Sequence, residues 1–202
     1  MYLKYMFKAR GNLPFQVCLL GSSEADRRTR FHSTSPAVAD VRGVHDAMKL
    51  SLFSDYSLRT LMYAALREDT FQLDEVTTAY GISRNHVAKV VHHLAKLGYL
   101  ETQRGRGGGI RLARPAADVR IGTLVRETES DAVMVECFDP ATNTCPIIGS
   151  CRLKGILAEA MQAFYTSLDR YSLRDLVSGP HRARMARTLF STLPPGTKPK
   201  AT

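Results

Sequence analysis

The sequence predicts a mainly α fold with a small β wing: a winged helix-turn-helix followed by a long C-terminal helix suited to dimerisation. Three observations predict it. Two amphipathic segments flank the turn Gly81-Ile82-Ser83, a short hairpin rich in glycine and arginine follows them directly, and a later run carries apolar residues at alternating steps of four and three.

Regular patterning starts at Ser51. Ser54 is placed to cap a helix from Asp55 to about Arg67, with Leu58, Leu61, Met62, Ala65 and Leu66 on one stripe. Leu73 to Tyr80 suits a second, short helix with Leu73, Val76 and Tyr80 inward. Gly81 can end it in a left-handed conformation, and Ser83 can cap the next helix, Arg84 to about Leu97. In that third helix Val87, Val90, Val91, Leu94 and Leu97 share one face, and Asn85, Lys89, His92 and Lys96 share the opposite one. His86 and His93 fall off the polar stripe and read as surface residues. Tyr99 to Thr102 and Ile110 to Leu112 read as two strands around the turn Gln103-Arg104-Gly105-Arg106-Gly107-Gly108-Gly109.

A further helix reaches about Glu129 with Ile121, Leu124 and Val125 apolar, and a loop covers 130–150. The long helix from Arg152 to about Arg170 then places Leu153, Leu157, Ala160, Phe164, Leu168 and Tyr171 on a seam widened by Ile156 and Met161, a pattern that suits a second long helix. The chain divides accordingly. Residues 1–47 lack sustained periodicity and read as a disordered extension or as upstream sequence before a start at Met48. Residues 48–116 form the winged helix-turn-helix, 117–178 a cysteine-bearing loop and the dimerisation helix, and 179–202 a frayed, disordered tail.

The chain's 202 residues are 44% hydrophobic, enough for a real core. No apolar run approaches the ~18–20 residues of a membrane span, so a soluble, cytoplasmic protein with no membrane partner is expected. A net charge of +9 suggests a polyanionic partner, and its placement identifies which. A helix in the major groove reads base edges with side chains turned away from the core. Asn85 can make a bidentate contact to adenine, Lys89 and His92 lie one and two turns on, and Arg84 and Lys96 suit phosphates. The hairpin offers Arg104, Arg106 and Arg111, with glycines that let the backbone approach a narrow minor groove. A solvated helix face or a flexible turn explains either feature alone. Their order and concentrated basic charge favour double-stranded DNA.

Cys18 stands alone, while Cys137, Cys145 and Cys151 form C-x7-C-x5-C. Three clustered thiols suit a metal or redox site better than a disulfide scaffold. The spacing lacks the C-x2-C knuckle of structural zinc, which favours an iron–sulfur cluster but leaves zinc and a thiol switch open. Three thiols would leave one iron of a cubane cluster without a cysteine. No catalytic constellation is present, and the glycine-rich run lies on a hairpin instead of a phosphate loop, so an enzyme is not expected.

Met48-Lys49-Leu50 with Asp55-Tyr56-Ser57-Leu58-Arg59, Ser83-Arg84-Asn85-His86-Val87-Ala88-Lys89-Val90, Arg104-Gly105-Arg106-Gly107-Gly108-Gly109, and Cys145-Pro146 to Cys151-Arg152-Leu153 together resemble the NsrR nitric-oxide-sensing repressors, of the same winged-helix superfamily as IscR. The resemblance spans about residues 48–178. It implies a homodimer on a palindromic operator that represses nitric-oxide-detoxification genes until nitric oxide disrupts a 4Fe–4S cluster. It also implies Cys137, Cys145, Cys151 and the partner's Asp55 as cluster ligands; from the residues alone, Asp55 reads as an acid at a helix N-terminus or an i,i+4 partner of Arg59. The seven-residue first interval is longer than in some relatives. Lys154 stands where IscR-like regulators carry histidine, which favours the carboxylate-ligated sensor. The alternatives are an iron–sulfur or thiol-based regulator of iron or redox status and, in another class, an iron–sulfur carrier or redox protein.

Overall fold

A computed structural model describes residues 49–105, 108–129 and 133–193; the expected extension at 1–47 lies outside the described residues. In chain order the elements are α1 (Leu52–Arg67), α2 (Leu73–Tyr80), α3 (Arg84–Lys96), β1 (Leu100–Gln103), β2 (Gly109–Leu112), α4 (Ile121–Thr128), α5 (Arg152–Leu168), α6 (Leu173–Val177) and α7 (Arg182–Phe190). Short 3-10 turns lie at Ala116–Asp118, Glu136–Phe138 and Gly179–His181. The expected fold class, mainly helical with a two-stranded wing, is the one observed.

α1 is the central helix, touching α3, β2, α4, α6 and α7. Being packed on several sides, it buries more than the expected stripe: Leu61, Ala65 and Leu66 are joined in the core by Tyr63 and Ala64, whereas Leu58 and Met62 are only half-buried. Its cap differs from expectation as well. Ser51, not Ser54, starts the helix, with its Oγ accepting the Ser54 N–H at 3.1 Å. Ser54 is fully buried and donates its hydroxyl to Thr128 Oγ1 at 2.7 Å. Either serine satisfies a sequence rule for capping; Ser54 is turned to Thr128, and Ser51 takes the cap.

α2 is joined to α1 by a buried polar knot. Glu75 Oε1 accepts the Gln72 N–H at 2.8 Å, while Oε2 accepts the Tyr63 hydroxyl at 3.0 Å and lies 3.6 Å from Arg67 Nε. Burial, then the adjacent Glu75 carboxylate, pushes the Tyr63 phenol well above its usual range and keeps it a donor. Gly81, at φ 65°, ends α2 as expected of a residue without a Cβ, and Ser83 caps α3 by accepting the His86 N–H. At the other end of α3, Arg114 donates to the Gly98 and Leu97 carbonyl oxygens, each at 2.8 Å, and satisfies acceptors the helix leaves open.

The wing is antiparallel, with Leu100 opposite Leu112 and Glu101 opposite Arg111. Phe71 exchanges both backbone hydrogen bonds with Ile110 (2.9 and 2.8 Å), so the hairpin is anchored just before α2.

After α4 and the thiol-bearing segment, α5 runs for 17 residues, none of them buried. The chain turns back through Leu173, whose N–H donates to the Val119 carbonyl at 2.8 Å, and α6 packs on α1. The expected disordered tail is corrected by α7. Residues 182–190 are helical and bury Leu189 and Phe190, followed by buried Leu193. Arg184 and Arg187, which suggest a solvated end, are on α7's exposed face, and the inward Met185, Ala186, Leu189 and Phe190 are too few to stand out as periodic. Residues 194–202 lie outside the described set.

Candidate functional site

The polar face expected on α3 is exposed. Val87, Val90, Val91 and Leu94 are buried, which fixes the rotation of α3 and leaves Asn85, Lys89, His92 and Lys96 exposed along the other side. Arg84, also exposed, pairs with Asp74 of α2 at 3.2 Å. Arg104 is exposed beside Gly105, whose φ of 100° makes the tight turn that the wing requires. Arg106 lies outside the described residues. Arg111 faces Glu101 across the strands at 2.5 Å, so its charge is matched within the wing. A cleft of about 750 Å³ is lined by Glu68, Asp69, Glu101, Arg111 and Arg114 among others. No α3 residue lines it, and its three carboxylates make it unsuited to a phosphate backbone.

The two histidines expected at the surface differ. His86 is exposed, with Nδ1 3.1 Å from Ser83 Oγ. His93 is half-buried, with its ring edge-on to Phe53 at 5.2 Å and its Nε2 buried without a partner among the described residues. That correction was not readable in one helix: Phe53 belongs to α1, forty positions earlier in the chain.

Cys137 lies in the 3-10 turn after α4, Cys145 in the following loop, and Cys151 at the N-cap of α5. All three are free and half-buried. The segment is closed by its own hydrogen bonds. Glu136 Oε1 accepts from the Thr144 N–H and, at 2.6 Å, from its hydroxyl. Asp139 accepts from the Ala141 N–H at 2.9 Å and the Thr142 hydroxyl at 2.8 Å. These donors hold both exposed carboxyls below the usual carboxylate range. Asp55 is held within its own chain by Arg59, at 3.0 Å to Nε and 2.8 Å to Nη2. Among the described residues no three Cys, His, Asp or Glu side chains converge as a metal site. The expected ligands are therefore not gathered in one chain. Three free thiols within fifteen residues nevertheless make a donor set whose chemistry suits a soft metal centre, and metal binding itself commonly draws such ligands together.

Among the described residues no helix is long and apolar enough to cross a membrane. Residues 50–179 match the model of the family described as "Rrf2: Iron-dependent Transcriptional regulator". The HTH-type transcriptional regulator NsrR of Bacillus subtilis (strain 168) is 48% identical over 132 residues, covering 64% of this chain and 90% of that protein. The regulator of the same name from Halalkalibacterium halodurans is 46% identical over 133 residues, covering 65% and 91%. Among solved structures, T. potens IscR superposes with a TM-score of 0.53 at 20% identity over 65% of this chain and 87% of that one. The oxidized form of Staphylococcus aureus CymR superposes at 0.52 and 22%, over 65% and 98%. These two share the fold; the family match and the curated relatives carry the assignment. The chain belongs to the Rrf2 family of transcriptional regulators.

Proposed function

We propose that this regulator is a homodimeric repressor that binds a palindromic DNA operator and releases it when nitric oxide reaches a 4Fe–4S cluster. The observation that carries the DNA-binding part is the exposed stripe Asn85, Lys89, His92 and Lys96 on a helix whose opposite face is locked in the core. The sensor part is supported by the three free thiols between α4 and α5 and by similarity to regulators named NsrR.

Cys137, Cys145 and Cys151 would hold the cluster, with the partner's Asp55 as the fourth donor. When bound, the cluster supplies an iron on a hard carboxylate, more easily displaced than a thiolate and so open to nitric oxide. Arg59 holds the Asp55 carboxylate whenever that side chain is not a ligand. Dimerisation is supported by α5, where Leu153 and Ile156 are each 58% exposed, a degree of apolar exposure that fits a second copy of the same helix. In DNA reading, Asn85 specifies a base, Lys89 and His92 extend the contact along the groove, and Arg84, Lys96, Arg104, Arg106 and Arg111 serve the backbone and minor groove.

The deciding experiment is anaerobic titration of the iron-loaded protein with nitric oxide, with absorbance and DNA binding followed together. Coupled loss of both is expected. Iron-free, colourless protein that binds DNA equally well with and without nitric oxide would refute the sensor and leave the DNA-binding assignment standing. On the DNA side, Asn85→Ala should weaken specific binding by roughly 1–3 kcal/mol, about 5- to 150-fold, with non-specific binding unchanged. Lys96→Ala should weaken both alike and lower the salt slope by about one. These two variants are separated by measuring affinity over a salt series on specific and scrambled duplexes.

A further inference from the structure

The end of α4 bonds to two places, the wing and the start of α1, through three consecutive residues. Glu127 Oε2 accepts from the Tyr99 hydroxyl at the base of the wing, at 2.5 Å. Thr128 Oγ1 accepts from buried Ser54, at 2.7 Å, and its own hydroxyl donates to the Leu124 carbonyl at 3.0 Å. Glu129 Oε1 accepts from the Ser51 N–H at 2.8 Å. Successive helical residues diverge by about 100°, so a single turn can reach the wing and the start of α1 at once. In the sequence Cys137 follows Glu129 by eight positions, of which 130–132 lie outside the described residues.

The start of α1 in turn lies on the recognition helix. Phe53 meets His93 edge-on, with ring centres 5.2 Å apart and planes at 82°. One turn on, Tyr56 lies 5.9 Å from His86, which itself contacts the Ser83 cap of α3. Asp55 sits between these two aromatic residues. His93 Nε2 has no hydrogen-bond partner among the described residues, so ring packing is what locates this imidazole.

We propose that Thr128 and His93 are positioning residues of one mechanical link, in which the last turn of α4 sets the first turn of α1 and the Phe53–His93 contact sets α3. The link rests on the reading of the chain as a DNA-binding sensor. Its physical basis is that the Ser54–Thr128 hydrogen bond is buried and has no solvent substitute. A displaced α4 end must therefore either carry α1 along or cost Ser54 its short bond and leave its hydroxyl only the longer contact to Ser51 Oγ, at 3.2 Å.

The test uses the full chain, iron-loaded and iron-free, with a duplex selected from a random pool by the loaded wild type. Thr128→Val keeps the shape and removes the hydroxyl; His93→Ala removes the ring; His93→Phe restores a ring without the nitrogen. Thr128→Val and His93→Ala should bind iron as wild type does, yet lose at least fivefold of the ratio between loaded and iron-free DNA affinities, and His93→Phe should recover it. In the wild type the His93 imidazole resonances should also shift on iron loading, and in Thr128→Val they should not. Wild-type ratios in both variants with the His93 shift intact would overturn the link alone. A wild type whose DNA affinity ignores its iron content would overturn the sensor reading and the link together. If His93→Ala fails to fold, Thr128→Val and the imidazole shift decide.

Discussion

Gly122→Ala should cost stability, although alanine is the better helix former by about 1 kcal/mol. A Cβ at this position would sit 2.5 Å from the Tyr165 carbonyl oxygen and closer still to Asp169 Oδ1. One obstacle is backbone, the other a carboxylate already held by Arg126 at 2.5 Å and by Thr123 at 3.3 Å, so neither can swing aside freely. Separating α4 from the end of α5 also strips the Arg126 guanidinium from its place 4.7 Å over the Tyr165 ring. Overpacking of this kind costs about 1–3 kcal/mol, which outweighs the propensity gain. The acid dependence gives a second signature. The Arg126 hydrogen bond holds the Asp169 carboxyl below its usual range. Its stabilising contribution is present above the unfolded pKa of about 3.9 and disappears as pH falls through the lower folded value. Chemical denaturation should therefore show a gap between wild type and Gly122→Ala at pH 7 that narrows below about pH 4. A constant gap across that range would mean that the Arg126–Asp169 pair survives the substitution.

Gly122 illustrates what the sequence could and could not convey. Periodicity located α2, α3, the wing and α5 to within a residue or two, because each buries one face and each is bounded by a turn or cap residue such as Gly81 or Ser83. The exposed polar face of α3 was legible for the same reason: the four buried residues of α3 dictate what the other side exposes. Contacts between elements were not. Nothing local to Gly122 shows that Asp169 lies against it, nothing local to His93 shows Phe53, and Ser51 and Ser54 satisfy the same capping rule. The thiol spacing was readable, but the placement of those thiols relative to one another was not: among the described residues they do not converge. Asp55 was readable in two ways, and its pairing with Arg59 is the one that a single chain displays.

Phe190→Ala should be the most costly of the substitutions considered. Phe190 lies edge-on to Tyr63, with ring centres 5.4 Å apart at 86°, and Tyr63 meets Phe71 in the same way at 5.3 Å. Leu189 and Leu193 are buried beside it, and Arg182 ties the start of α7 to Glu68 at 2.7 Å. That ion pair is exposed and contributes little; the aromatic contact holds the helix down. Removing a buried phenyl ring costs about 3–5 kcal/mol, and in a domain of this size each kcal/mol lowers Tm by about 2–4 °C. The damage should extend beyond α7, because Tyr63 donates to Glu75, the carboxylate that also caps α2. Hydrogen exchange should accordingly speed up in α2 as well as in α7, while Arg184→Ala, on the exposed face of the same helix, should leave both unchanged. A Phe190→Ala variant that loses less than about 1 kcal/mol would show that α7 does not dock in solution, because a cavity against Tyr63 could not be so cheap. The helix lies outside residues 50–179 matched by the family. Its hydrophobic contact is made directly onto Tyr63 of α1, the helix that also packs against α3.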